Sequence, residues 1–221
     1  MTRATNLLIV SGRIRWMMTD KKYLTIISHY EPCLRRHGGT HLGVDWPKEE
    51  DADTRYQVNA RSYQARGQRR SPKGYPLGFR LWASHLYEYM LKKQVNGVDY
   101  SGLDLSDEFI RLSKAKFPNL TYYHADILED TSALPFFDYI VLNGVFTLKC
   151  DLSFPEMLEF FQKTVRRTFQ RARVGIAFNV MSKQVDWERH DLCHLPLDTL
   201  ASFLTHDVSR NFVVRPRLPA I

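Results

Sequence analysis

This sequence of 221 residues predicts an α/β fold: a mostly parallel sheet flanked by helices, with its first strand disrupted and its last truncated. Three observations carry that prediction. From Ala83 onward, helix-like and strand-like patterns alternate, the order that builds parallel sheets through crossover helices. Between Asp99 and Thr147, three strand-like runs end in polar residues: Asp104 closes the first, Asp126 follows the second, and Asn143 with Gly144 closes the third. Ligands of open parallel sheets bind outside the carboxyl ends of the strands, so three polar tips on one edge outline a nucleotide-sized crevice.

Taken in order, residues 1–17 are expected to be a non-native extension, with Met17 or Met18 the more natural start, and 18–221 to form a single domain. Lys21 to Tyr30 predicts a short helix, Glu31 to Asp45 a loop marked by Gly38, Gly39 and Gly43, and Glu49 to Val58 the start of a helix. Residues 59–82, rich in Arg, Gln, Gly and Pro, predict an irregular or disordered insert. The first buried strand belongs there, but Pro76 and Arg80 interrupt it. A helix follows from Ala83, and another starts at Ser106. Leu158 to Ala172 shows helical spacing ahead of the strand VGIAFNV. Leu197 to Leu204 opens a further helix, and Asn211 to Arg215 reads as a last strand.

Composition narrows the class. The net charge of +7 would ordinarily point to nucleic acid or an acidic membrane. Six basic residues and no acid lie within 59–82, so the excess is local to one segment and does not describe a binding face. Cys33, Cys150 and Cys193 are far apart, which suits a reducing cytoplasm better than a disulfide framework. No apolar run reaches the length of a membrane span. The expected partner is a small molecule, with no nucleic acid and no membrane.

The residue types at the strand tips suit a nucleoside. A carboxylate accepts two hydrogen bonds side by side, which matches a ribose diol, and it repels a phosphate. Each tip also has a plainer reading. Asp104 can cap the helix that follows it, Asp126 can make an Asx turn, and Asn143-Gly144 can be a turn signal.

The same residues, in the same order, resemble the class I S-adenosylmethionine-dependent methyltransferases, whose sheet is Rossmann-like. The match runs from about Ala83 to Val214, and more weakly over Met18 to Val58. The resemblance implies that Asp104, in GLDLS, holds the cofactor's ribose with Leu105 beside it. It implies that Asp126 and Ile127, in HADIL, lie by the adenine, and that Asn143 and Gly144 border the methionine and its methyl group. Ala83, opening the first helix, completes the implied cofactor set, and no metal is expected. The implied activity is methyl transfer from S-adenosyl-L-methionine to a small molecule.

The glycine-rich turn of that family is missing. One codon choice for Gly78 to Trp82, read one base later, encodes Asp-Phe-Gly-Cys-Gly, which resembles the family's turn. Residues 59–82 therefore read as frame-shifted, with slips near Val58 and Trp82, and 216–221 read likewise after Arg215. A second reading follows: a catalytically impaired relative that binds no cofactor. A third, a dinucleotide-dependent oxidoreductase, is disfavoured because such sites prefer Gly-x-Gly-x-x-Gly.

Other constellations are weaker. His190 and His194 would share a face if helical, but lack a third ligand. Ser182, Lys183 and Asp186, and the stretch Phe146 to Lys149, are candidates for the acceptor's rim.

Overall fold

Parallel pairing organises the molecule. The structure, a computed structural model, describes residues 21–64, 76–79, 84–129 and 131–215. Five strands, β1 (Pro76–Phe79), β2 (Ser101–Asp104), β3 (Thr121–His124), β4 (Phe137–Leu142) and β5 (Ala172–Phe178), form one sheet in the order β3-β2-β1-β4-β5. Every neighbouring pair is parallel. The chain starts in the middle, winds outward to β3, then returns to the other side. That reversal between β1 and β4 is the topological switch point of a Rossmann-like sheet.

The first strand corrects an expectation. Residues 74–82 were expected to hold no buried strand, yet Pro76–Phe79 lies at the centre, with Leu77 opposite Ser101 on one side and Ile140 on the other. The ladder needs only main-chain groups, and the two interrupting residues fall at its ends. Pro76 is the strand's first residue, where a missing N–H is tolerated, and Arg80 lies past its last. The expected disorder over 59–82 also fails at 59–64, which continue a helix. Residues 65–75 and 80–83 lie outside the described residues, as do 1–17 and 216–221.

Helices link the strands. These are α1 (Leu24–His37), α2 (Glu49–Gln64), α3 (His85–Lys92), α4 (Asp107–Lys116), α5 (Phe154–Phe169) and α6 (Leu197–Phe203). Helix α1 runs seven residues beyond its expected end at Tyr30 and contains Pro32; it stops at Gly38, whose φ of 59° places it in the left-handed region. A 3-10 turn, Leu42–Val44, follows. Helix α5 begins four residues before the expected Leu158, because Ser153 and Glu156 form a capping box with Pro155 in the first turn. The last predicted strand does not form: residues 211–215 have no ladder partner among the described residues, so β5 is the edge.

The core is built where β4 and β5 meet α5. Ile140, Leu142, Met157 and Val165 are fully buried. Phe161 packs edge-on against Phe146, Phe178 and Phe203, with ring centroids 4.9, 5.6 and 5.4 Å apart. Such pairs add stability beyond the area they bury, and they set the height of α5 against the carboxyl half of β4.

Candidate functional site

Strand β2 delivers Asp104 to the carboxyl edge of the sheet. Its side chain is buried, and Oδ1 accepts the Ser106 N–H at 2.9 Å. Ser106 is the residue that caps α4: its hydroxyl accepts the Phe109 N–H and donates to Glu31 of α1 at 2.7 Å. The capping role is thus divided. Ser106 serves the helix, and Asp104 holds the turn before it.

Strand β3 brings Asp126 alongside, because the Ala125 N–H donates to the Asp104 carbonyl at 3.2 Å. The Asx turn is made: Asp126 Oδ1 accepts the Leu128 N–H at 2.9 Å. The other oxygen, Oδ2, accepts the Tyr23 hydroxyl at 2.5 Å. Tyr23 precedes α1 and stacks on Phe160 of α5, with ring centroids 5.2 Å apart. Burial, and then the Asp126 carboxylate, push the pKa of its phenol well above the ordinary value, so it stays a donor.

Beyond β4, Asn143 is buried and Gly144 takes φ 67°, a backbone that favours glycine. The Gly144 N–H donates to Asn179 Oδ1 at 2.7 Å, tying the tips of β4 and β5 together. On the β1 side, Ser84 stands at φ 64° just before α3, a conformation in which a serine is strained and a glycine is not.

These tips surround a cavity of about 60 Å³. Asp104, Leu105, Asp126 and Ile127 line it, so four of the residues singled out in the sequence converge there. Asn143 and Gly144 stand next to Val145, which also lines it. Ala83 lies outside the described residues. Tyr23, Phe160 and Thr164 line the cavity too, and no local pattern pointed to them. Thr164 is buried and its hydroxyl has no hydrogen-bond partner among the described residues. Helix α1 closes the outer side through Ile26 and Ile27. Its entry is pinned by the Lys21–Glu129 and Lys22–Glu156 ion pairs, at 2.6 and 2.7 Å. Lys22, ahead of the Ser153 bonds, holds the Glu156 carboxyl down at about 2.

The candidate acceptor rim is only partly as expected. Phe146 is a core residue, enclosed by Phe160, Phe161 and Phe178. Ser182, Lys183 and Asp186 are exposed on a segment that pairs β6 (Met181–Ser182) with β7 (His194–Leu195). That pairing also removes the helix that His190 and His194 would need to share a metal. His194 is buried, with Nδ1 3.0 Å from the Ser182 carbonyl.

No family model matches the sequence, and no curated protein matches it. Solved structures do. The magnesium protoporphyrin IX methyltransferase of Synechocystis PCC 6803 with bound S-adenosylmethionine is similar at a TM-score of 0.58 and 10% identity, over 85% of this chain and 86% of that one. Its form with S-adenosylhomocysteine gives 0.58 and 11%, over 81% and 86%. DesVI of Streptomyces venezuelae is similar at 0.44 and 13%, over 62% of this chain; the chain spans 55% of that protein's length. The chain has the fold of the class I S-adenosylmethionine-dependent methyltransferases.

Proposed function

We propose that the chain transfers a methyl group from S-adenosyl-L-methionine to a small molecule. One observation carries the reading: two carboxylates, Asp104 and Asp126, stand on adjacent parallel strand tips and line one cavity. The donor set fits the group, since one carboxylate suits a ribose diol and the other an exocyclic amine. In this reading Asp104 and Leu105 hold the ribose, Asp126 and Ile127 the adenine, and Asn143 and Gly144 the methionine end. Ala83 is the seventh residue of the proposed site. When bound, the cofactor supplies an electrophilic methyl group on a sulfonium. The protein's part is alignment and exclusion of water, which in favourable cases lowers a barrier by roughly 7 to 11 kcal/mol.

Entry to the site requires a movement. A cavity of about 60 Å³ is well under half of one that admits benzene. A nucleoside therefore has to displace the Tyr23 hydroxyl from Asp126 and lift the start of α1. The wide spacing of the three cysteines favours the cytoplasm as the place of action, and no helix among the described residues is long and apolar enough to cross a membrane.

A second reading, an impaired relative that binds no cofactor, draws on a different observation. No glycine occurs between Phe79 and His85, and Ser84, just before α3, takes a left-handed backbone conformation. Calorimetry with S-adenosylhomocysteine and with NAD separates the readings. Binding of the first alone supports the methyltransferase, binding of neither supports the impaired relative, and binding of NAD alone overturns both.

A further inference from the structure

A second cluster of chemistry-bearing side chains lies farther along α1, reaching past its midpoint at Cys33. His29 and Cys33 are four residues apart and share one face of that helix. Asp45 reaches them from the turn that follows the 3-10 segment. One donor atom from each, an imidazole nitrogen, a thiol sulfur and a carboxylate oxygen, lies within 4.8 Å of the other two. His29 Nε2 is 2.8 Å from Asp45 Oδ2, and the His29 ring is set edge-on against Tyr30.

The scaffold holding these groups is tightly built. Asp45 takes φ 56°, and its flanking residues Val44 and Trp46 are both buried, which fixes the turn. The turn is pressed against the end of α1: a Cβ added to Gly43 would come within 1.9 Å of the Gly38 carbonyl oxygen. Helix and turn therefore hold their donors at a set separation before any ion arrives. Arg189, whose charge feels Asp45, already pairs with Asp191.

We propose that His29, Cys33 and Asp45 bind a borderline divalent transition ion, Zn²⁺ in the first instance. A sulfur, nitrogen and oxygen donor set selects such ions over Mg²⁺ or Ca²⁺, which take oxygen alone. With three protein ligands the tetrahedron keeps one position for water or an outside donor. His29 and Asp45 are exposed, so that position faces solvent. The bound ion clamps the middle of α1 to the 42–46 turn, away from Tyr23.

Co²⁺ titrated into the full chain after chelator treatment tests this. Expected are the thiolate-to-cobalt charge-transfer band and the visible bands of a tetrahedral site, both bleached by stoichiometric Zn²⁺. Cys33→Ser and His29→Ala should lose them, Asp45→Asn should bind about tenfold or more weakly, and Cys150→Ser should keep them. Because a variant can misfold, each is checked by circular dichroism, and a Zn²⁺-induced rise in Tm is sought in the native chain and in Cys33→Ser. Absence of the thiolate band in the native chain overturns the site. So does an equal band in folded Cys33→Ser, or an equal Tm rise in both proteins. Neither result bears on the cofactor crevice, which shares no side chain with this cluster.

Discussion

The two halves of the sheet's carboxyl edge are built differently. On the β2–β3 side, each acid is held by a backbone N–H two residues further on, Ser106 for Asp104 and Leu128 for Asp126. On the β1–β4 side, Gly144 is held by Asn179, thirty-five residues away, and Ser84 sits strained at the mouth of α3. One half is written in short local motifs; the other depends on distant chain segments arriving. The adenosine end of the proposed site is therefore the sturdier, and the methionine end the one where a change of sequence does most harm.

The largest effect should come from the packing that joins the second half. Phe161→Ala removes the ring that Phe146, Phe178 and Phe203 share. It should cost about 3 to 5 kcal/mol in a denaturant titration. A loss below about 1 kcal/mol would mean that α5 does not set the β4 tip.

Next is the first half itself. Asp104→Asn keeps an acceptor for Ser106 but removes the charge, and affinity for S-adenosylhomocysteine should fall by roughly 1.4 to 2.8 kcal/mol, ten- to a hundredfold. Unchanged affinity by calorimetry would take the β2 tip out of the site.

The contrast between the halves is sharpened by repairing the weaker one. The quadruple change Gly78→Asp, Arg80→Gly, Leu81→Cys and Trp82→Gly restores the glycine turn read from the shifted frame. It should tighten cofactor binding at least roughly tenfold, about 1.4 kcal/mol. Equal affinity in the two proteins would show that the missing turn does not matter.

Smaller still, Ser84→Gly should relieve left-handed strain of about 1 kcal/mol and raise Tm by roughly 2 to 4 °C. A lowered Tm would show that the serine side chain matters more than its backbone.

Acid should loosen the outer attachments of both halves. Burial lowers the pKa of His85, whose Nε2 lies 2.9 Å from the Gly39 carbonyl. As pH falls below about 6.5, the unfolded chain takes up this proton before the folded one, and stability drops. Glu156 is depressed to about 2, so its contribution, complete above its unfolded value, is lost as pH falls from there through about 2. Tm measured from pH 7 to pH 3 should show two stages, and Glu156→Gln should flatten the lower one.

Much of this was legible in the sequence where information is local. The α/β alternation, the polar strand tips and the Asp–Ser sequence opening α4 are short-range patterns, and four of the singled-out residues do line one cavity. Strand β1 was misread because its side chains look wrong for a buried strand, while its pairing needs only backbone. Phe146 was misread because a residue just past a strand tip can turn inward as readily as outward.

The order of elements and the chemistry at their tips follow from the amino-acid order, since periodicity and turn residues act over a few positions. It took the packing of α1 across the sheet edge to close the crevice with Tyr23 on Asp126, one hundred and three residues away. The same long-range packing brought Asp45 to His29 and Cys33. Contacts between distant segments depend on how whole helices pack, and no short stretch of sequence encodes that.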